Sequence, residues 1–493
     1  MILWKNKRFL IQETLVIPMG AYYNKESYET SEEGAFMSLN IEQYIQPGRR
    51  AHLVGIGGVS MSPLGEVLHG RGMTISGSDM NESATVEHLR SLGIQVVIGH
   101  LAESVEGADC VIRTAAVHDD NPEIAAARAL GIPVFERAEA WGAIMRHYQN
   151  ALCVAGTHGK TTTTSMCTHI FLAAQRDPSV MLGGVLPIMG AGHRVGEGDT
   201  IILESCEYCN SFHSFAPTVA IILNVDADHL DFFKDLEDVK HSFRKFAQLV
   251  PEQGCVVANV EDANTMDCVK DLGRPVVTFG LTQGDVHAEN LTWEQGYASF
   301  DVMYQGEKYA RVSLSVPGRH NVLNALAASA AAIELNVPAQ AIEEGLSAFR
   351  GAGRRFEAKG EYRGAKVYDD YAHHPDELRA LLTTAQNLGY NRVICAFQPH
   401  TYTRTKALFE EFVEVLKLAD QVVVAEIFAA RETDTLGISS ADVAARIEGA
   451  EYCATLEDVT RKLAELAQPG DLILTVGAGN IYLAGEELVK QNG

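Results

Sequence analysis

At 493 residues the chain is too long for one hydrophobic core and predicts about three domains of roughly 150 residues each. With 46% hydrophobic and 21% charged residues it has the composition of an ordinary globular protein. Its 64 acidic against 40 basic residues give a formal charge of −24, which argues against nucleic acid and anionic membrane as partners and leaves room only for a local basic pocket that holds a small anion.

Residues 1–36 contain "LVIPMGAYY", too short and poorly flanked for a signal sequence, and no run anywhere reaches the ~18 to 20 apolar residues of a membrane span. The polar, turn-rich "YNKESYETSEEGAF" follows, ahead of Met37. Residues 1–36 therefore read as a disordered extension outside the fold, with Met37 as the more natural start.

From "RRAHLVGIGG" onward the pattern is regular. A short apolar strand runs into glycines, a helix is predicted over residues 62–69, and "MTISGSD", "IQVVIG", "DCVIRTAAV" and "IPVFE" read as strands separated by helical segments. Strands alternating with helices of about ten residues predict an open α/β, Rossmann-like domain over residues 37–148. Its loop Gly55-Ile-Gly57-Gly58-Val-Ser60 approximates G-x-G-x-x-G, with Ser78 and Asp79 ending the next strand where a ribose-binding acid is expected. Such a loop suits NAD, a nucleotide-sugar diphosphate, or simply a tight strand-to-helix turn.

A second domain, residues 149–352, opens with the strand "ALCVAG", the loop "THGK" and the helix "TTTTSMCTHIFLAAQ". This is a shortened phosphate loop on a parallel sheet. Backbone amides from Gly156, Thr157, His158 and Gly159 would wrap phosphates, Lys160 would neutralise their charge, and the hydroxyls of Thr161 and Thr162 follow at the helix start. Acidic groups come after two further apolar runs: Glu204 and Glu207, then Asp226, Asp228 and His229. Strand ends are where α/β sheets bind ligands, so Glu204 and His229 are the candidate metal partners of Thr161, while Asp231 and Asp235 read as solvated acids. Cys206 and Cys209 form a C-x-x-C spacing with no second pair at zinc-finger distance. The nine cysteines show no disulfide framework and fit a reducing, cytoplasmic setting. In "VPGRHNVLNALAASAAAIEL" a helix carries Asn321 and Asn324 on one face, amides suited to an adenine edge; capping accounts for Asn321 but not for Asn324.

Residues 349–357, "FRGAGRRFE", read as a hinge into a third Rossmann-like domain, residues 353–493. It repeats the α/β alternation, with one long helix through Leu416. Polar clusters at its strand ends predict a ligand-facing rim: Asp369, Asp370, Tyr371, His373 and His374; His400, Tyr402 and Arg404; Glu426 and Arg431.

The ordered set "GIGGVSMS" with "SGSD", "GTHGKTTTT", "NVDADHLD", "GRHNVLNALAA", "RRFE", "DDYAHHP", "FQPHTYTRT" and "VGAGNI" resembles the Mur ligases, from about residue 37 to the end of the chain. Within that family it is most similar to members that add L-alanine to UDP-N-acetylmuramate during peptidoglycan precursor synthesis. The resemblance implies a UDP-sugar domain, a central P-loop ATPase and a C-terminal domain that closes over the amino acid. It also implies ATP and Mg²⁺ (or Mn²⁺) as cofactors, UDP-N-acetylmuramate and L-alanine as partners, and a monomer or homodimer. Activation would run through an acyl phosphate.

Carried over, Lys160 and Thr161 take the phosphates and a first Mg²⁺, and Glu204 and His229 a second metal site. Asn321 and Asn324 contact adenine, and Arg355 and Asp370 approach phosphate and ribose. Tyr371, His373 and Arg404 line the amino-acid side, and Gly57, Gly58, Ser78 and Asp79 the UDP side. Lys160, Glu204, His229, His373 and Arg404 are the expected catalytic set. Two positions depart from the family wording: Cys206 replaces an aspartate, and Thr401 an arginine able to grip a carboxylate through two hydrogen bonds. Other readings compete: a ligase that recycles a preformed tripeptide onto the same sugar, an NAD-dependent oxidoreductase, and a non-catalytic ATP-switched binding protein.

Overall fold

The structure is a computed structural model describing residues 40–491 apart from Ala115, Asp231 and Arg431. The expectations for residues 1–36, Asp231 and Arg431 lie outside the described residues.

Three sheets follow one another along the chain. In the first, strands Gln95–Ile98, Thr74–Asp79, Arg50–Val54, Cys110–Arg113 and Val134–Glu136 lie side by side in that order, all parallel. This is the 3-2-1-4-5 order of dinucleotide-type folds, with its crevice beside the first strand. Helix Arg137–Met145 leaves the last strand and packs on the turn Tyr208–Ser214 of the central lobe. Contact is close enough that a Cβ at Gly142 would lie 1.8 Å from the Ser214 carbonyl oxygen.

The central sheet is not purely parallel. Its parallel middle holds Val286–Glu294, Val276–Gly280, Cys255–Asn259, Val219–Ile222, Asn150–Ala155, Thr200–Glu204 and Ser179–Leu186. Antiparallel strands extend both margins: Tyr297–Tyr304 and Glu307–Pro317 on one side, Ala191–Arg194 on the other. The first margin has a local cause. Gln295-Gly296 and Gln305-Gly306 both have positive φ at each residue, 48° and 81°, then 53° and 79°. These are two-residue turns whose twist matches that of paired strands. Helix Lys160–Ala173 is buried between this sheet and helices Arg319–Glu334 and Ala339–Ala348.

The third sheet orders Glu357–Tyr362, Ala365–Asp370, Leu472–Val476, Val393–Phe397, Gln421–Ala425 and Glu451–Cys453, parallel except for the first pair. The expected long helix through Leu416 is instead two, Tyr402–Ala407 and Phe409–Leu416, broken at Leu408. The first piece is polar and tied outward, Arg404 to Asp228 and the Thr403 N–H to Glu432, whereas the apolar face that packs on the sheet starts at Phe409. Arg354 fastens the hinge to this lobe, donating to Asp369 at 2.9 Å and to the carbonyls of Gly477 and Gly479. Among the described residues no helix is long and apolar enough to cross a membrane.

Candidate active site

The loop of residues 156–159 joins strand Asn150–Ala155 to helix Lys160–Ala173. Asn224 fixes its shape: its side-chain oxygen accepts the His158 N–H at 2.7 Å, its carbonyl accepts the Thr157 N–H at 3.0 Å, and its amide donates to the His158 carbonyl at 3.1 Å. Gly159 has φ 85°, and a Cβ there would stand 2.7 Å from Asn324 Oδ1. The loop thus needs glycine for conformation and for clearance.

Lys160 Nζ donates to the carbonyls of Gly156 and Thr157, at 2.6 and 3.1 Å, and to Glu207 at 3.0 Å. Burial alone disfavours the ammonium, but the carboxylates of Glu207 and Glu204 outweigh it and hold the pKa above its ordinary value. Thr161 donates to Glu204 at 3.0 Å, and Glu204 also accepts the Gly183 N–H at 2.6 Å. His229, with φ 54°, places Nε2 3.7 Å from Glu207 and 3.9 Å from Asp228. Of the two glutamates, Glu204 therefore keeps company with Thr161, and Glu207 stands between Lys160 and His229. Hydroxyl and carboxylate oxygens at strand and helix ends fit Mg²⁺, and the imidazole of His229 suits Mn²⁺ as well.

Beside the loop is a cavity of about 270 Å³, close to the lower bound of small-molecule sites. His158, Gly159, Thr162, Asn321, Asn324, Arg355 and Asp370 line it, with Val316, Pro317, Phe349 and Leu381 as apolar walls. The two amides already serve each other: Asn321 donates to the Pro317 carbonyl at 2.7 Å and accepts from Asn324 at 3.2 Å. Asn324, which capping left without a role, thus packs against Gly159. Asp370 accepts the N–H groups of Phe356 and Ala372, at 2.7 and 2.8 Å. Burial nevertheless pushes its carboxyl up to about 6 against those bonds and the Arg355 charge. Arg355 lies over the Tyr371 ring at 5.1 Å.

The third lobe meets the central one through charge. Arg404 donates to Asp228 at 3.0 Å; burial opposes ionisation of Asp228, but His229 and Arg404 hold its carboxyl well below the usual range. Glu377 lies 3.2 Å from His158 Nδ1 and accepts the His373 N–H at 3.0 Å; despite burial its carboxyl is held well below the usual range by His373 once that imidazole is protonated at low pH, by the His158 hydrogen bond and by the Arg355 charge. Sequence reasoning missed Glu377. Its only signal was a helix-start pattern, the N-terminal cap at His374 followed three residues on by a glutamate. Burial holds the His373 imidazole at about 4, so it is neutral near pH 7, with Nδ1 3.0 Å from the Tyr371 carbonyl. Of the remaining rim, His400 stacks on Phe428, Tyr402 opens its short helix, and Glu426 accepts from the Tyr452 hydroxyl instead of facing the cleft residues.

In the first lobe Asp79 accepts the Gly57 N–H at 2.9 Å, pinning the glycine loop to the next strand. Ser78 is buried and donates to Glu123 at 2.6 Å, and Gly58 closes the turn onto the Gly55 carbonyl. Cys206 and Cys209 are not joined by a disulfide.

Comparison with known proteins gives a consistent result across the chain. Residues 50–149 match the catalytic domain of the Mur ligase family, residues 154–332 the Mur ligase middle domain, and residues 354–479 the Mur ligase glutamate ligase domain. The UDP-N-acetylmuramate--L-alanine ligase of Caldanaerobacter subterraneus subsp. tengcongensis is 45% identical over 92% of this chain and 100% of its own. That of Agathobacter rectalis is 47% identical over 89% of this chain and 97% of its own. The crystal structure of UDP-N-acetylmuramate-alanine ligase from Thermotoga maritima, 31% identical, superposes with a TM-score of 0.75 over 90% of this chain and 98% of that one. A murein peptide ligase from Psychrobacter arcticus, 23% identical with a TM-score of 0.68, shares the fold.

Proposed function

Because this chain belongs to the Mur ligase family, we propose that it joins L-alanine to the lactoyl carboxylate of UDP-N-acetylmuramate with conversion of ATP to ADP and phosphate. The observation that carries this reading is the convergence on one cleft of Lys160, Thr161, Glu204, Glu207 and His229 with Arg404 and His373 from the third lobe.

A carboxylate is a poor electrophile, so amide formation needs a leaving group. Attack of the lactoyl carboxylate oxygen on the γ-phosphorus breaks the bond to the β-γ bridging oxygen and yields an acyl phosphate and ADP. The alanine nitrogen then attacks the acyl carbon, and phosphate departs with the carbon-oxygen bond. Catalysis of this kind is mostly positioning and charge neutralisation.

In this reading Lys160 turns from Glu207 to the transferring phosphoryl group, while backbone N–H groups of the loop orient the chain of phosphates. Thr161, Glu204 and His229 would hold Mg²⁺, which when bound neutralises phosphate charge. Asn321, Asn324 and the apolar walls take the adenine, with Asp370 and Arg355 at ribose and phosphate. Neutral His373 holds its Nδ1 proton toward the Tyr371 carbonyl, leaving Nε2 to accept a hydrogen from the incoming amine. Arg404, fixed by Asp228, presents its remaining N–H groups to the alanine carboxylate. The glycine loop around Gly57 and Gly58, with Ser78 and Asp79 supporting it, takes the UDP end. The enzyme would work in the cytoplasm, where these nucleotides are found.

Phosphate release tests this with Mg²⁺-ATP and UDP-N-acetylmuramate, comparing L-alanine, glycine, L-serine and the tripeptide. The expected result is release requiring both the sugar nucleotide and L-alanine, with a product heavier by one alanyl residue. Release with the tripeptide alone would assign the recycling reaction instead.

A further inference from the structure

A second cluster of ligating groups joins the phosphate loop to the third lobe at the edge of the nucleotide cavity, and the chemistry above gives its side chains no step. His158, on the phosphate loop, faces His374 and Asp376, which open helix Pro375–Gln386 of the third lobe. One ligating atom from each of the three lies within 4.8 Å of the others. The two imidazoles are 5.1 Å apart between ring centres.

His158 carries the argument. Its Nδ1 lies 3.2 Å from Glu377 Oε1, so the Nδ1 proton is committed to that carboxylate. Its Nε2 is buried and has no hydrogen-bond partner among the described residues; Asp226 lies 3.8 Å away. A carboxylate bonded to one imidazole nitrogen, with the other nitrogen's lone pair directed at further donors, is how proteins prepare a histidine for a metal. Asp376 is 62% exposed on its side chain, and its carboxylate lies 3.5 Å from His374 Nδ1. Two imidazoles and a carboxylate favour a borderline cation over Mg²⁺. Tetrahedral zinc ligands at ~2.1 Å stand about 3.4 Å apart, a contraction that side-chain rotation of Asp376 and His374 supplies.

We propose that His158, His374 and Asp376 form a site for one Zn²⁺-class cation, which clamps the phosphate loop to the third lobe and shuts the adjoining nucleotide cavity. The blocking role rests on the nucleotide reading of that cavity; the site itself does not. A cation there would fix His158 and bring the helix start of the third lobe over the loop, opposing nucleotide entry. It shares no residue with the Mg²⁺ group of Thr161, Glu204 and His229.

The test is calorimetric titration of the full chain with ZnCl₂ in the absence of nucleotide, followed by titration with a non-hydrolysable ATP analogue with and without one equivalent of zinc. One zinc per chain is expected, weakened at least tenfold by Asp376→Asn and by His374→Ala, and unchanged in the Cys206→Ser/Cys209→Ser double variant. Asp376→Asn serves should loss of the His374 cap disturb folding. Zinc should lower analogue affinity at least tenfold in the wild type and leave it unaltered in Asp376→Asn. Absence of zinc binding, or binding that survives both substitutions, overturns the site. Zinc bound with no loss of analogue affinity overturns the blocking role. A zinc-free protein that fails to bind the analogue would overturn the nucleotide reading and the blocking role with it, whereas the zinc titration alone decides the site.

Discussion

Arg404 and Asp228 are joined at 3.0 Å although one belongs to the third sheet's rim and the other to the central sheet's acidic loop. Both side chains are largely shielded, at 14% and 12% exposure, so the pair is screened less than a surface bridge. Asp228→Asn preserves volume and removes the charge that aims Arg404. The expected outcome is a roughly 100-fold fall in kcat/KM for L-alanine, equivalent to about 2.7 kcal/mol of transition-state stabilisation, measured by coupled phosphate release. Wild-type kinetics in this variant would remove the pair from the mechanism.

Lys160 and Glu207 make a second, more deeply buried pair, with Glu207 only 2% exposed. Lys160→Met leaves that carboxylate without its ammonium, a change that costs about 3 to 5 kcal/mol in fully buried cases. The variant should lose at least ~1000-fold in kcat and melt earlier. Adding Glu207→Gln should recover the melting temperature but not the rate. Recovery of both would mean that Lys160 serves structure alone.

Much of this site was legible as sequence because its parts are local. A strand, a glycine loop and a lysine-threonine helix start are contiguous, and the acids at 204, 207, 226 and 228 each follow a short apolar run that ends at the same sheet edge. What could not be read depends on approach between distant segments. Asn324 reads as an adenine contact from its helix face alone; that it also stands against Gly159, 165 positions away in the chain, is something only folding brings about. Asp79 matches a ribose acid by spacing, and the spacing does not show that its carboxylate also accepts the Gly57 N–H. Glu377 was visible as a helix-start glutamate and invisible as the partner of His158. The break at Leu408 has no proline or glycine to announce it, since it arises where tertiary anchoring of Arg404 and Thr403 competes with apolar periodicity.

Asp370 gives a pH signature with a definite sign. Its carboxyl titrates at about 6 in the folded chain against 3.8 ordinarily, so between those values the native state holds a proton that the unfolded chain has released. Its stabilising contribution is therefore complete below pH ~4 and is lost as pH rises through about 6, a difference of roughly 3 kcal/mol. The melting temperature of wild type minus that of Asp370→Asn should be larger at pH 4.5 than at pH 7. Nucleotide affinity should move oppositely, rising through pH 6 as the carboxylate that would meet the ribose forms. A difference in melting temperature that is flat with pH would show that Asp370 does not titrate in this range.

Thr401 occupies φ 67°, ψ 146°, a region that side chains other than glycine enter at a cost of about 1 to 3 kcal/mol. The backbone there is held by the Thr401 N–H donating to the Phe428 carbonyl at 2.9 Å and by the Thr401 carbonyl, which accepts from Thr405. Its own hydroxyl makes no hydrogen bond among the described residues. Glycine would relieve the strain and keep both backbone bonds, at a cost of about 0.5 to 1 kcal/mol in added freedom of the unfolded chain. Thr401→Gly should therefore raise the melting temperature by a few degrees and leave the KM for L-alanine within twofold. Thr401→Arg keeps the strained backbone but adds a guanidinium beside Arg404, so it should leave the melting temperature unchanged and lower the KM. A KM that rises with glycine instead would give the threonine side chain a direct part in holding the amino acid.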